Sequence, residues 1–287
     1  PDGGGTGAPP APPPGTTSEP NKVTGSDASG NIGSGINLTG GSGYDVVVFN
    51  TAKGPITIDL SRKSFSGGGG GGRIEGVEGI IGSLFGDTML GDDGPNLFDG
   101  GFGAALFLGG AGDDPLVGGD GLALAISLGS SSKYPVTADG KGGLTISGGA
   151  DGRDTLTGVE RISFGDKSLA FDLSPEGSAG KTALLAGALL GKGSLANAPL
   201  MGTLVSYFDG GKSLSDASNL LITSGIVSQL AGGNSNEALV SFLFTNLIGA
   251  PPDAATTAQL AGLITSGQFT QASFLTAALQ LDLTQSV

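Results

Sequence analysis

The sequence predicts a mainly β N-terminal half wound from short glycine-punctuated repeats, followed by an α-helical C-terminal bundle. Three observations carry this. A Gly/Asp-rich period of nine residues runs from 82 to 126, glycine fills 57 of 287 positions without the three-residue period of collagen, and the texture changes near residue 174. With 38% hydrophobic residues the chain has enough apolar material for packed cores in one large or two ordinary domains.

Residues 1–22 are rich in Pro and Gly and predict an extended tail, polyproline-like over 9–14. Over 23–173, β-branched runs such as Val46-Val47-Val48 and the alternation Ile56-Thr57-Ile58-Asp59-Leu60 read as strands separated by glycines. The tract 67–72 reads as a flexible loop. Over 174–287 Ala, Leu and Ser dominate and the apolar spacing becomes helical, with helices expected over 178–191, 195–208, 213–231, 235–248, 254–265 and 270–281. Asn234 followed by Glu237 has capping-box spacing, Pro251-Pro252-Asp253 opens a helix, and Gly267 ends one.

The charge balance narrows the chemistry. Thirteen Lys and Arg stand against 26 Asp and Glu, a net charge of −13, so a nucleic-acid partner is excluded for want of a basic surface. No basic side chain lies between Arg73 and Lys133, where Glu75, Glu78, Asp87, Asp92, Asp93, Asp99, Asp113, Asp114 and Asp120 all fall. Acids held that close in a compact fold call for a bound cation as counter-charge. Without cysteine there are no disulfides or thiolate metal sites, and without histidine the Ser-His-Asp and Cys-His mechanisms and the usual zinc sites are gone. No apolar run approaches the length of a membrane span. No basic-then-apolar leader opens the sequence, so the address of an exported protein is expected elsewhere or removed earlier.

The nine-residue blocks begin at Gly82 (GSLFGDTML), Gly91 (GDDGPNLFD), Gly100 (GGFGAALFL), Gly109 (GGAGDDPLV) and Gly118 (GGDGLALAI). Their sixth positions are Asp87, Asn96, Ala105, Asp114 and Ala123, and their eighth are Met89, Phe98, Phe107, Leu116 and Ala125, expected in the core. A separate copy at 40–48 fits the pattern Gly-Gly-x-Gly-x-Asp-x-apolar-x in full, and 148–156 is a looser one. Glycines permit the left-handed turn, the acid supplies hard oxygen ligands, and the eighth side chain points inward.

This pattern resembles the calcium-binding parallel β-roll of repeats-in-toxin (hemolysin-type) proteins exported by the type I route. There two blocks make one coil, and calcium sits between turns stacked on one edge. The resemblance implies that block 82 stacks on 100 and 118, and 91 on 109. It then implies a calcium site of Asp92, Asp93 and Asn96 with Asp113 and Asp114, a partial site at Asp87 on an edge weakened by Ala105 and Ala123, and weaker candidates at Asp45 and Asp154, which lack an adjacent in-phase block. Segments 75–90 and 152–164 look like those that flank β-rolls, and the apolar-polar segment 279–287 resembles an uncleaved export signal of the kind type I exporters accept. The helical half is similar, around Asn246-Leu-Ile-Gly-Ala-Pro251-Pro-Asp253, to a domain of unknown function often found beside such repeats, departing from it where Ala250 stands in place of arginine.

Metal-free β-solenoids use similar Gly-Asp turns with solvated acids, which is the alternative to each calcium site. Adjacent acids such as Asp113 and Asp114 are a poor fit to a glycosidase, which sets two carboxyls across a cleft, so no enzyme activity is expected. Tyr44 and Tyr207 are read as packing residues. The resulting expectation is a secreted, self-assembling surface-layer or filament subunit that forms a homo-oligomer or polymer. The alternatives are an adhesin that holds cell-surface polysaccharide and the non-catalytic C-terminal part of a secreted hydrolase.

Overall fold

The computed structural model describes residues 21–24 and 34–282; the expected tail over 1–20 and the last part of the export segment, 283–287, lie outside them. Residues 21 and 22 are not tail: they belong to a strand, Asn21–Thr24, paired in parallel with Asp45–Val48. The chain divides between Phe171 and Asp172 into two compact units, the first β and the second helical.

The β unit consists of one eight-stranded and one nine-stranded sheet. Strands Asp87–Leu90, Ala105–Leu108 and Ala123–Ile126 are parallel neighbours in the larger sheet. Gly79–Ile81, Leu97–Asp99 and Pro115–Val117 are parallel neighbours in the other. The chain therefore visits the sheets alternately, one block per strand and two blocks per coil. The register places Asp87 opposite Ala105 and Ala105 opposite Ala123, and Phe98 opposite Leu116, the stacking that the nine-residue phase implies.

Side chains alternate along a strand, so the eighth position of each block falls on the inner face. Met89, Phe98, Phe107, Leu116 and Ala125 are all buried. Ile58 and Ile162 extend one inner row, and Ile80 and Leu156 the other. Phe98 and Phe107 stack with ring centroids 6.3 Å apart. Burial of each of the larger side chains in these rows contributes about 1.5–3 kcal/mol. The first glycine of a block is a packing requirement: a Cβ at Gly91 would overlap the Gly109 carbonyl oxygen and Asn96 Oδ1.

The glycine tract is not a loop. Ser64–Gly67 and Gly70–Glu75 form an antiparallel hairpin, and the second strand pairs in parallel with Ser34–Thr39. A Cβ at Gly72 would overlap the Ile36 carbonyl, so the absence of side chains is what lets the strands meet. At the end of the eight-stranded sheet, Val136–Ala138 and Gly143–Ser147 fold back antiparallel onto Arg153–Thr157.

The helical unit holds α1 (Ser178–Leu190), α2 (Ala198–Asp209), α3 (Leu214–Thr223), α4 (Ile226–Leu230), α5 (Asn236–Ile248), α6 (Ala254–Thr265) and α7 (Gln271–Asp282). Asp172 belongs to it because its carboxylate accepts the Ser178 and Ala179 amides that open α1. The helix expected over 213–231 is two helices, because Gly225 takes a left-handed conformation (φ 77°) between α3 and α4. The cap of α5 is Ser235, whose Oγ accepts from the Ala238 amide, one residue beyond the expected Asn234. The full capping box belongs to α3, between Ser213 and Asp216. Leu185, Phe208, Leu243, Leu275 and Leu279 share the core. Among the described residues no helix is long and apolar enough to cross a membrane.

Candidate metal centre

One edge of the eight-stranded sheet carries a row of five oxygen-bearing side chains, one on each of five successive strands. Parallel pairing sets Asp45 level with Glu78, Glu78 with Asn96, Asn96 with Asp114, and Asp114 with Asp154. Each sits at the start of its strand, where the glycine turn tightens into the sheet. Asp45, Asn96 and Asp114 are buried, whereas Glu78 and Asp154 are half-buried.

The row is knitted by backbone donors. The Asp45 amide donates to Glu78 Oε2 at 2.8 Å, the Asn96 amide to Asp114 Oδ1 at 2.8 Å, and the Asp114 amide to Asp154 Oδ1 at 3.2 Å. The Asp92 amide donates to Asn96 Oδ1 at 2.8 Å. These bonds use one oxygen and leave others exposed to the low-dielectric interior. Asp114 Oδ2 and both carboxylate oxygens of Asp45 are buried with no hydrogen-bond partner, as is the Tyr44 hydroxyl.

Burial disfavours an ionised carboxyl, and nearby acids add to the effect. Asp114 is pushed up to about 7, mainly by burial and then by the charges of Asp92 and Asp113. Asp154 is also pushed up to about 7, by burial and then by Asp114. Glu78 rises for the same reasons, with Asp45 and Asp92 as the charged neighbours. The ion pairs Arg62–Asp59, Lys63–Glu75 and Arg73–Glu75 lie outside the row.

The eight residues singled out from the sequence separate into three groups. Asn96, Asp114, Asp154 and Asp45 are in the row. Asp45 and Asp154 do have in-phase neighbours, contrary to expectation, because long excursions return the chain to register beside them. Asp92, Asp93 and Asp113 do not join Asp114 in one cluster. Asp92 Oδ1 accepts from the Gly94 amide and Asn96 Nδ2, Asp113 Oδ1 accepts from the Arg153 amide, and Asp93 and Asp113 are exposed. Asp87 lies on the opposite edge, where its oxygens accept from the Ser83 amide and hydroxyl and the Ile56 amide. Its carboxyl is raised by burial against those bonds.

Two acids that the period does not reveal complete the pattern. Glu78 stands in the acid row, and Glu160 Oε2 accepts from the Ala123 amide at 2.7 Å on the opposite edge. Both lie in the pentapeptide Gly-Val-Glu-x-Ile, at 76–80 and 158–162, with Val77, Ile80, Val159 and Ile162 buried. That recurrence was the available signal.

Calcium takes about six to eight oxygens, from carboxylates and carbonyls alike. Among the described residues no group of three or more carboxylates forms a ready-made cage. The row offers carboxylates in pairs, one from each neighbouring coil, with glycine-turn carbonyls alongside. Its buried, unpartnered oxygens have the donor chemistry of a hard cation, so the residues fit the ion at Asp114 with Asp154 and at Asp45 with Glu78.

No family model matches the chain, and no curated protein matches it. Among solved structures it is similar to the extracellular lipase LipA from Serratia marcescens, at 23% identity over 30% of this chain and 14% of that chain, with a TM-score of 0.28. The chain thus corresponds to a small part of that protein, and a likeness of this extent carries no argument about the fold or the activity.

Proposed function

We propose that this chain is an extracellular, non-enzymatic structural protein whose β unit folds around calcium and which assembles as a surface-layer or filament subunit. The observation that carries the calcium part is the buried, unpartnered oxygen of Asp114 beside Asp154, repeated at Asp45 beside Glu78. A buried carboxylate oxygen with no partner costs several kcal/mol, which a divalent ion would remove while also neutralising the charge. Asp114 and Asp154 would hold one ion, and Asp45 and Glu78 another, with the turn carbonyls completing each shell. In a calcium-poor compartment the acids repel and the unit stays open; where calcium is plentiful, binding to the folded form alone drives folding.

An adhesin is the second reading, favoured by a cleft of about 460 Å³ beside the row, lined by Glu75, Glu78, Asp92, Asp93 and Asn96. Carboxylates and a partly coordinated ion are suitable partners for polysaccharide hydroxyls. Electron microscopy of the purified chain with calcium, and again after chelation, separates the two. Sheets or fibres that vanish on chelation are the expected result. A calcium-folded monomer that retains glycans replaces the structural reading with the adhesin, and hydrolysis of an ester, peptide or glycan by this chain overturns its non-enzymatic part.

A further inference from the structure

We infer that the edge of the β-roll opposite the acid row is the surface on which a second copy of this chain docks. The inference rests on the reading of the chain as a self-assembling subunit and names one contact of that assembly. On this edge the turns 82–86, 100–104 and 118–122 stack directly: the Phe102 amide donates to the Ser83 carbonyl, and the Asp120 amide to the Gly101 carbonyl. A Cβ at Gly103 would overlap the Phe85 backbone, and one at Gly121 the Gly103 backbone. The turns are therefore in contact and rigidly held, about 4.8 Å apart as neighbouring strands are.

From these turns Leu84, Phe85, Phe102 and Leu122 project with exposures of 55%, 39%, 47% and 38%. At the sixth position of these coils Ala105 and Ala123 stand level with Asp87. On this edge the sixth position is a buried alanine in two of the three coils, and the exposed positions of the turns, Asp120 apart, are apolar. A contiguous exposed apolar patch on a soluble protein marks an interaction site.

Charge selects the occupant. The chain carries −13, so copies repel wherever their acid-bearing surfaces meet. Turns 82–86 and 100–104 contain no charged residue, and Asp120 alone stands in the third. Ridge-to-ridge contact buries neutral surface and holds the two acid rows on the far sides of the pair. A stack of level turns is also self-complementary about a two-fold axis, the commonest closed arrangement of identical chains. A basic partner would take the acid edge instead.

Sedimentation velocity of the full chain in calcium over a range of concentrations tests this, with Phe102→Glu and Leu128→Glu as variants. Leu128 is 76% exposed and follows the far end of strand Ala123–Ile126, away from the ridge. Both positions are exposed, and far-UV circular dichroism of each variant in calcium checks that the fold is kept. The expected result is self-association weakened about a hundredfold or more by Phe102→Glu, since like charges meeting across a contact cost several kcal/mol, and unchanged by Leu128→Glu. Phe102→Leu should retain it. Association that Phe102→Glu leaves intact, a monomer at every concentration, or wild-type binding to phosphatidylcholine vesicles in place of self-association overturns the inference. A fold indifferent to calcium instead overturns the calcium reading, and the Phe102→Glu comparison still judges the ridge.

Discussion

Replacing Asp114 with asparagine removes a buried charge while keeping the shape of the row. The position tolerates the change, since Asn96 occupies it one coil earlier with Oδ1 accepting an amide and Nδ2 donating to Asp92. In the metal-free protein the Asp114 carboxyl titrates at about 7, against about 3.9 in an unfolded chain. At pH 8 ionising it in the folded state therefore costs up to about 4 kcal/mol, at about 1.4 kcal/mol per pH unit. Asparagine avoids that cost, offset by about 1–3 kcal/mol for a new buried N–H without an assigned acceptor. Asp114→Asn should therefore be more stable than wild type by about 1–3 kcal/mol in chelator at pH 8, and should lose most of its gain on adding calcium. Thermal unfolding by circular dichroism, in chelator and in calcium, measures both. A variant less stable than wild type without metal, yet stabilised equally by calcium, refutes the assignment of Asp114 as a ligand.

The pH dependence of the metal-free wild type follows with the same sign. Asp114 and Asp154 have raised folded-state pKa values, so their contribution is complete below about pH 4 and is lost as pH rises through about 7. A melting temperature in chelator that falls between pH 5 and pH 8, with a much flatter profile in calcium, is the expected outcome of a series of melts. Phe107→Ala opens a cavity against Phe98 and should cost about 3–5 kcal/mol in denaturant unfolding of the β unit; a loss below about 1 kcal/mol would mean that the two sheets do not pack through this pair. A Cβ on Gly109 would overlap Asp114 Oδ2, so Gly109→Ala should weaken calcium binding in isothermal titration, with unchanged affinity as the contrary result.

Much of this was legible in the sequence because a nine-residue period maps directly onto one strand per block. The inward row of Met89, Phe98, Phe107, Leu116 and Ala125 and the pairing of Asn96 with Asp114 follow from phase alone. The ends of the acid row do not. Asp45 meets Glu78 across 33 residues and Asp114 meets Asp154 across 40, and irregular excursions of that length erase the phase although the register survives. The polar residues of the turns differ from expectation for another reason. Asp113 points outside and Asp114 inside, so only the second reaches the row, while Asp92 and Asp93 both stay in the turn before Asn96. The glycine tract 67–72 looked like a loop because composition does not distinguish freedom from close packing, and here the strands around Gly72 approach too closely for any side chain. In the helical half the apolar period ran unbroken through Gly225, whose left-handed backbone ends α3.

At pH 8 the stacked acid turns should depend on a divalent ion among them for most of their stability. Circular dichroism melting of the full chain at pH 8, first in chelator and then in calcium, addresses it most directly. A β signal and melting transition that gain strongly from calcium, and not from an equal ionic strength of sodium, are predicted; identical melts in the two conditions would contradict the claim.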